Sequence, residues 1–127
     1  MRARAMASII VMTGPQEGAY YPLGRRTNVI GRDEALLIQI LDERVSRKHL
    51  QIRFDQEKGR YYAHDMKSKH GVLVNGAKVN KETELGDNSY IKIGETILFF
   101  TLKDLPDREN ALSYYKQVSE RDISTLF

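Results

Sequence analysis

Short β-type runs separated by turn residues fill the chain up to residue 104, and they constrain the fold more than any other feature. No helical period competes with them in this region. Strands at such close spacing are typical of an all-β sandwich or barrel. We predict ten strands, at residues 8–13, 19–22, 28–30, 38–41, 50–54, 61–64, 72–74, 77–79, 90–93 and 96–102.

The turn residues between these runs support the same class. Asn75-Gly76 lies between two β-type runs and is the strongest hairpin signal that two residues can give. Lys58-Gly59 and Gly94-Glu95 predict two further hairpins. In runs 50–54 and 90–93 apolar residues alternate with polar ones, which indicates strands with one face on a core and one in water.

Length and composition limit what the chain can do. Its 127 residues, 41% of them hydrophobic, suffice for one compact domain. No apolar run reaches the roughly eighteen residues of a membrane span. The absence of cysteine excludes disulfides and cysteine-ligated zinc, and the three histidines are scattered, so we predict neither a metal nor a cofactor.

The first twelve residues combine a basic start with an apolar middle, as secretory signals do. The apolar stretch is short, no small-residue cleavage pattern follows it, and Gly14-Pro15 ends it as a turn ends a strand. We therefore interpret it as the first strand and predict a cytoplasmic location.

Positive charge is concentrated rather than abundant. The formal net charge is only +3, from 20 basic and 17 acidic residues. Three of the five residues from Arg44 to Lys48 are basic, and Lys67 and Lys69 flank Ser68. Because these loops also carry hydroxyl side chains, the pattern favours anion binding over a merely solvated surface.

Four fragments that follow or interrupt the β-type runs carry the chemistry. They place Arg, Ser, Lys and His on exposed turns, and such a cluster of donors suits a bound phosphate. In chain order the fragments are Gly31-Arg32, Ser46-Arg47-Lys48-His49, Ser68-Lys69-His70-Gly71 and Val74-Asn75-Gly76.

Taken together, and with Leu85-Gly86-Asp87 and Ile93-Gly94 after them, these fragments resemble the forkhead-associated (FHA) domain over residues 8–103. The resemblance implies a two-sheet antiparallel β-sandwich of the FHA/SMAD-like type. It also implies a phosphorylation-dependent interaction module of signalling proteins, whose partner is a phosphothreonine protein or peptide and neither membrane nor nucleic acid. We expect this domain to span residues 1–104.

The resemblance also assigns the ligand contacts. A phosphothreonine carries about −1.5 to −2 charges and three acceptor oxygens, so it needs several converging donors. Arg32 offers a fixed fork of donors, Ser46 a short hydroxyl, and Arg47 a second charge. Arg44 matches the position that reads the side chain three residues after the phosphothreonine, and a basic residue there predicts an acidic or polar preference.

Two residues depart from the commonest family pattern, Ser-Thr-Asn-Gly. Lys69 takes the threonine position and can donate to phosphate, with more charge and less fixed geometry than a hydroxyl. His70 takes the position of the asparagine that clamps the peptide backbone, and a neutral imidazole can both donate and accept from its two nitrogens. We expect binding that is weaker or mildly pH-dependent.

Six further residues are expected to support the site without touching ligand. The glycines permit close turns, the histidine holds the Ser46 turn, and the polar residues brace their loops. They are Gly31, His49, Asp65, Ser68, Gly71 and Asn75.

Three other functions compete with this interpretation. Catalysis is disfavoured because no nucleophile-elbow, metal-ligand or phosphate-loop motif is present, so we predict no enzyme. A nucleic-acid-binding β-barrel is disfavoured because the paired aromatics lack interleaved basic residues. A phosphate-independent interaction or oligomerisation domain stays open, since Lys69 and His70 are atypical.

The sequence changes character after Pro106. In 107–120 Ala111, Leu112, Tyr115 and Val118 fall three or four apart, which predicts an amphipathic helix. We expect residues 105–127 to form a helical or flexible tail that leads to a further region. Phosphorylation of this tail would allow self-association through its own or a neighbour's site, at Ser119, Ser124 or Thr125.

Overall fold

The computed structural model describes residues 7–126, with side chains described up to residue 118. These described residues form eleven strands and one helix. They are β1 (Ser8–Val11), β2 (Tyr20–Pro22), β3 (Asn28–Gly31), β4 (Ile38–Gln39), β5 (Leu50–Asp55), β6 (Arg60–Asp65), β7 (Val72–Val74), β8 (Ala77–Lys78), β9 (Glu82–Leu85), β10 (Ser89–Ile93), β11 (Thr96–Thr101) and α1 (Arg108–Leu126).

The strands form two sheets, which confirms the predicted β-sandwich. One sheet has the order β2-β1-β11-β10-β7-β8 and the other β4-β3-β5-β6-β9. All the paired strands are antiparallel, as predicted, except β3 and β4. These two are parallel, with Ile30 opposite Ile38. After β3 the chain forms a largely exposed loop over 32–37. It then enters β4, the edge strand, which runs in the same direction as β3.

The predicted hairpins are present. Asn75 and Gly76 both have positive φ, 50° and 86°, as a two-residue turn that matches the strand twist requires. Gly94-Glu95 links the paired Ile93 and Thr96. Gly59 ends the β5–β6 turn, where its N–H donates to the Asp55 carbonyl at 2.7 Å.

Strand β9 was not predicted. It pairs with β6, with Leu85 opposite Tyr61, and buries Leu85 while its two glutamates are exposed. Two glutamates in four residues argue against a strand on propensity alone. At a sheet edge, however, exposed charge is favourable because it discourages pairing with another chain.

The main core lies between the sheets, and a second apolar cluster lies outside the six-stranded sheet. In the first, residues such as Ile9, Ile30 and Phe100 are fully buried. In the second, Ile10 and Phe99 point the other way and meet helix α1. The chain therefore buries both faces of β1 and β11.

The helix prediction is confirmed in type and in its apolar face, since Ala111, Leu112, Tyr115 and Val118 all join the second cluster. The helix begins at Arg108 and runs to Leu126, beyond the predicted end. Side chains at 119, 124 and 125, the proposed phosphorylation sites, lie outside the described residues. Among the residues with known structure, no helix is long and apolar enough to cross a membrane.

Candidate functional site

Three loops meet at one end of the sandwich: residues 32–37, 40–49 and 66–71. Ser46 contacts both of the others. Its carbonyl accepts a hydrogen bond from the Arg32 N–H at 3.0 Å, and its Oγ accepts one from the Lys69 N–H at 3.0 Å. The structure thus brings Arg32, Ser46 and Lys69 together.

The Arg32 side chain is exposed but fixed at its base. Its Nε donates to the Val45 carbonyl at 2.9 Å. Among the side chains of residues 7–118 no carboxylate forms an ion pair with Arg32, so its two terminal nitrogens keep their donors for a ligand. The role of Val45 was not predicted, because a backbone carbonyl leaves no signature in residue type.

The Ser46 hydroxyl is oriented by its acceptor role. Because Oγ accepts from Lys69 N–H, its own hydrogen is left to donate outward. The Ser46 N–H donates to Nδ1 of the fully buried His49 at 2.9 Å. Nδ1 is therefore unprotonated and Nε2 carries the hydrogen, which it donates to the Gly71 carbonyl at 2.7 Å.

The loop at 66–71 is braced by its own polar side chains. Asp65 accepts from the Ser68 N–H at 2.9 Å, and the Ser68 hydroxyl oxygen accepts from the Gly71 N–H at 2.9 Å. Gly71 has φ of 84°, a conformation that favours glycine. These contacts leave the Lys69 and His70 side chains exposed on the outer surface of the loop.

Asn75 is bound to strand β10 rather than to the site loops. Its Oδ1 accepts from the Tyr90 N–H at 2.8 Å, and its own N–H donates to the Tyr90 carbonyl at 2.8 Å. Asn75 therefore fixes the β7–β8 hairpin, and its support of the site is indirect.

Gly31 is required for space rather than for an unusual φ. A Cβ built on Gly31 would lie 2.1 Å from the carbonyl oxygen of Arg47 and 2.9 Å from that of Ser46. The loop 40–49 passes directly over this position. We expected a tight turn here, and the structure shows instead a close approach of two backbones.

Two of the predicted ligand contacts already have acidic partners. Arg47 lies 3.4 Å from Asp33 and Arg44 lies 3.7 Å from Glu95. A hydrogen bond from the Ala35 N–H, together with the Arg47 guanidinium, holds the pKa of Asp33 below its ordinary value. Exposed pairs of this kind contribute little stability, so a stronger anion can replace the carboxylate.

Asp42 is a supporting residue that sequence reasoning missed. Its carboxylate accepts from the Arg44 N–H at 2.9 Å, the Glu95 N–H at 2.8 Å and the Thr96 hydroxyl at 2.8 Å. Partial burial alone would raise the pKa of Asp42, but these hydrogen bonds outweigh it and the pKa lies below its ordinary value. Sequence patterns can identify an aspartate that begins a turn. They do not show that its carboxylate also accepts hydrogen bonds from the other sheet.

The arrangement groups hydrogen-bond donors of the kind that an anion needs, and it lacks the geometry of an activated nucleophile. A serine becomes nucleophilic when a base takes its hydroxyl proton. Here both nitrogens of His49 contact backbone groups, and neither contacts the Ser46 hydroxyl. Within the described part of the chain no three His, Cys, Asp or Glu side chains are grouped to hold a metal ion.

Comparison with protein families places this arrangement in context. Residues 28–94 match the family model of the FHA domain. The chain is 33% identical over 92 residues to the FHA domain-containing protein FhaA of Mycobacterium tuberculosis, covering 72% of this chain. It spans 17%, 31% and 62% of the length of three curated relatives that it matches.

Solved structures show the same fold. The FHA domain of FhaA, in complex with the intracellular domain of Rv3910, has a TM-score of 0.65 at 30% identity, covering 74% of this chain and 98% of that one. A structure from a study of phosphothreonine-dependent FHA domain interactions has a TM-score of 0.66 at 29% identity. That match covers 75% of this chain and 94% of the other.

Proposed function

This chain belongs to the FHA domain family, and on that premise we propose that it is a phosphorylation-dependent interaction module that binds phosphothreonine peptides of signalling proteins. The observation that carries the proposal is the contact of Ser46 with both Arg32 and Lys69, which groups three donors at one end of the sandwich. Several donors at one place are what a phosphate with three acceptor oxygens needs.

In this proposal the phosphate is held by Arg32, Ser46 and Lys69. Arg32 contributes its two terminal nitrogens, Ser46 its outward hydroxyl hydrogen, and Lys69 its ammonium group. Arg47 adds charge when it exchanges Asp33 for the phosphate.

The flanking peptide is assigned to Arg44 and His70. Arg44 must leave Glu95, which lies 3.7 Å away, to reach an acidic peptide side chain. His70 is exposed beside Lys69 and can clamp the peptide backbone with one donor and one acceptor.

The proposal also covers enzymatic activity and cellular location. A binding module returns its ligand unchanged, so we propose that this domain has no enzymatic activity of its own and acts in the cytoplasm. Incubation with a phosphothreonine peptide, followed by mass spectrometry, should recover the peptide intact.

Titration of Arg32→Ala with a phosphothreonine peptide tests the site. Loss of one charged donor should remove about 1.5 to 3 kcal/mol, which is about ten- to a hundredfold in affinity. Arg60→Ala is the matched control, because Arg60 is an exposed arginine at the opposite end of β6 and pairs with Glu84. Affinity of Arg32→Ala equal to that of the parent would show the assignment to be wrong.

The same titration with the dephosphorylated peptide tests the function itself. We expect no measurable binding, and weaker binding of the phosphoserine analogue because the family leaves a niche for the threonine methyl. Equal affinity for the phosphorylated and dephosphorylated peptides would favour a phosphate-independent interaction domain.

A further inference from the structure

Two exposed lysines that the proposed phosphate site does not use adjoin the backbone contact between the loops 40–49 and 66–71. Strands β5 and β6 pair up to Leu50 and Asp65. The pairing continues one step further, since the Met66 N–H donates to the His49 carbonyl at 3.0 Å. Lys48 and Lys67 are the next residues beyond this hydrogen bond, each in the loop that adjoins its strand.

Neither lysine has an acidic partner within ion-pair distance in the part of the chain that the structure describes. Lys48 lies near enough to Asp33 to make a small contribution to the lowered pKa of that carboxyl, whose main contacts are Ala35 and Arg47. Asp65 already accepts from Ser68. Two exposed lysines on adjoining loops repel each other weakly, and an anion bound by both would offset that repulsion.

The backbone at Lys67 is also unusual. Its φ is 57°, in the left-handed region that costs most residues free energy and that glycine or asparagine adopts more readily. Such conformations persist where the surrounding structure fixes them, and they cluster at ligand-binding sites. The conformation keeps an exposed lysine at the tip of a loop that contacts Ser46 through Lys69.

Charge is unevenly distributed around the proposed phosphate position. Residues 66–70 contain two lysines and no carboxylate, and Lys48 adjoins them. Residues 32–37, on the other side, contain Arg32 together with Asp33 and Glu34. The side formed by residues 66–70 therefore presents positive charge without a carboxylate, whereas the side formed by residues 32–37 presents both signs.

We propose that Lys48 and Lys67 form a second anion-binding position, which takes an acidic side chain of the peptide whose phosphothreonine occupies the neighbouring site. The proposal rests on the proposed function. The chemistry recognised is an anionic oxygen group within a few residues of the phosphothreonine, and both a carboxylate and a second phosphate supply it.

The test uses phosphothreonine peptides that are otherwise neutral, with one glutamate or one phosphoserine stepped through the four positions on each side. Binding is measured with the parent chain, with Lys48→Gln, with Lys67→Gln and with the double variant. Lys78→Gln/Lys92→Gln is the matched control, because both lysines are exposed on the other sheet.

We expect the added anion to tighten binding about three- to tenfold, on one side of the phosphothreonine only, and more for phosphoserine than for glutamate. Each single variant should lose part of this gain and the double variant all of it, while the control keeps it. The neutral phosphothreonine peptide should bind the parent and the double variant equally, and added salt should reduce the gain.

The outcomes separate the two proposals. The third position after the phosphothreonine is left out of the comparison, because an acidic side chain there is assigned to Arg44. If the neutral phosphothreonine peptide binds but the added anion brings no gain at any other position, or a gain that survives in the double variant, the second position does not exist. A gain that is equal on both sides would also overturn it, since that is general charge attraction. If no phosphothreonine peptide binds the parent chain, both proposals fail.

Discussion

Gly31 is the residue at which the site is least tolerant of change. The backbone of residues 46 and 47 passes over it, and the carbonyl oxygen of Arg47 would lie 2.1 Å from any added Cβ. The carbonyl groups of the same backbone accept hydrogen bonds from the N–H groups of Arg32 and Asp33, at 3.0 and 3.1 Å. One missing methyl group thus allows two of the three loops to touch.

Gly31→Ala should therefore lower both stability and binding. We expect a decrease of about 1–3 kcal/mol in the free energy of unfolding, since backbone atoms must move apart. Phosphopeptide affinity should fall with it, because Ser46 moves away from Arg32. Denaturant unfolding and titration measure the two effects.

Gly86→Ala is the control for this substitution. A Cβ at Gly86 meets nothing within 4 Å, so this variant should unfold and bind like the parent. Equal stability of the two alanine variants would contradict the close-approach explanation.

Individual side chains of the site could be predicted from the sequence, whereas the backbone groups that bind them could not. Arg32, Ser46 and His49 could be singled out because their residue types and order are characteristic. The Val45 carbonyl that fixes Arg32, and the bonds from Asp42 to Glu95 and Thr96, could not. They depend on which loops become neighbours in space, and residue type does not record that.

At the scale of elements, helix α1 is part of the folded unit. It covers Ile10 and Phe99 on the outer face of the six-stranded sheet, and its own Ala111 is fully buried in this contact. Polar contacts fix its position as well: the Arg108 Nε donates to the Gly18 carbonyl at 3.0 Å, and the Tyr114 hydroxyl donates to Asn88 at 2.9 Å.

Ala111→Glu should detach the helix. A buried carboxylate has no partner in this apolar cluster, so we expect the free energy of unfolding to fall by about 1–3 kcal/mol and the exposed sheet face to bind a hydrophobic dye. Ser113→Glu is the control, because Ser113 is on the exposed side of the same helix. Phosphopeptide affinity should be unchanged in both, and a dye response from Ser113→Glu would count against this packing.

The helix and its apolar face could be predicted, whereas the surface it packs on was not. A signal was present in the uninterrupted apolar runs of β1 and β11, since a strand with one wet face should alternate. Strand β9 was missed for the opposite reason. Its glutamates at 82 and 84 pair with Arg53 and Arg60 on the outer face of the sheet, which only the assembled sheet reveals.

At the scale of the whole molecule, Asp42 joins the two sheets. It belongs to the loop after β4, in the five-stranded sheet, and its carboxylate accepts hydrogen bonds from the β10–β11 hairpin of the other. The Gly94 Cβ position would lie 2.9 Å from the Asp42 Oδ2, so the two segments are in close contact. This contact joins the loop 40–49, which carries Ser46, to the β10–β11 hairpin of the other sheet.

Stability should accordingly depend on the ionisation of Asp42. Its pKa is lowered on folding, so the unfolded chain binds the proton more tightly. The stability that the carboxylate contributes is present above its unfolded pKa and is lost as the pH falls through the lower, folded value. Asp42→Asn should cost about 1 kcal/mol at neutral pH, and the difference from the parent should shrink as the pH falls below 3.8, the ordinary pKa of an aspartate side chain.

Thermal unfolding across this pH range measures the difference. Glu43→Gln is the control, because it removes the neighbouring exposed carboxylate, which has no hydrogen bond to the β10–β11 hairpin. A difference between Asp42→Asn and the parent that stays constant with pH would exclude ionisation as its cause.

The contacts of Ser46 with the two neighbouring loops, made within the protein itself, have a consequence for how a partner is chosen. Loops whose mutual contacts form before the ligand binds do not have to be ordered by it. Binding therefore costs little conformational entropy of the backbone. The partner is then selected by the shape and charge of loops whose contacts are already formed. Under the proposed function, we expect such a module to bind a phosphorylated protein in preference to its unmodified form.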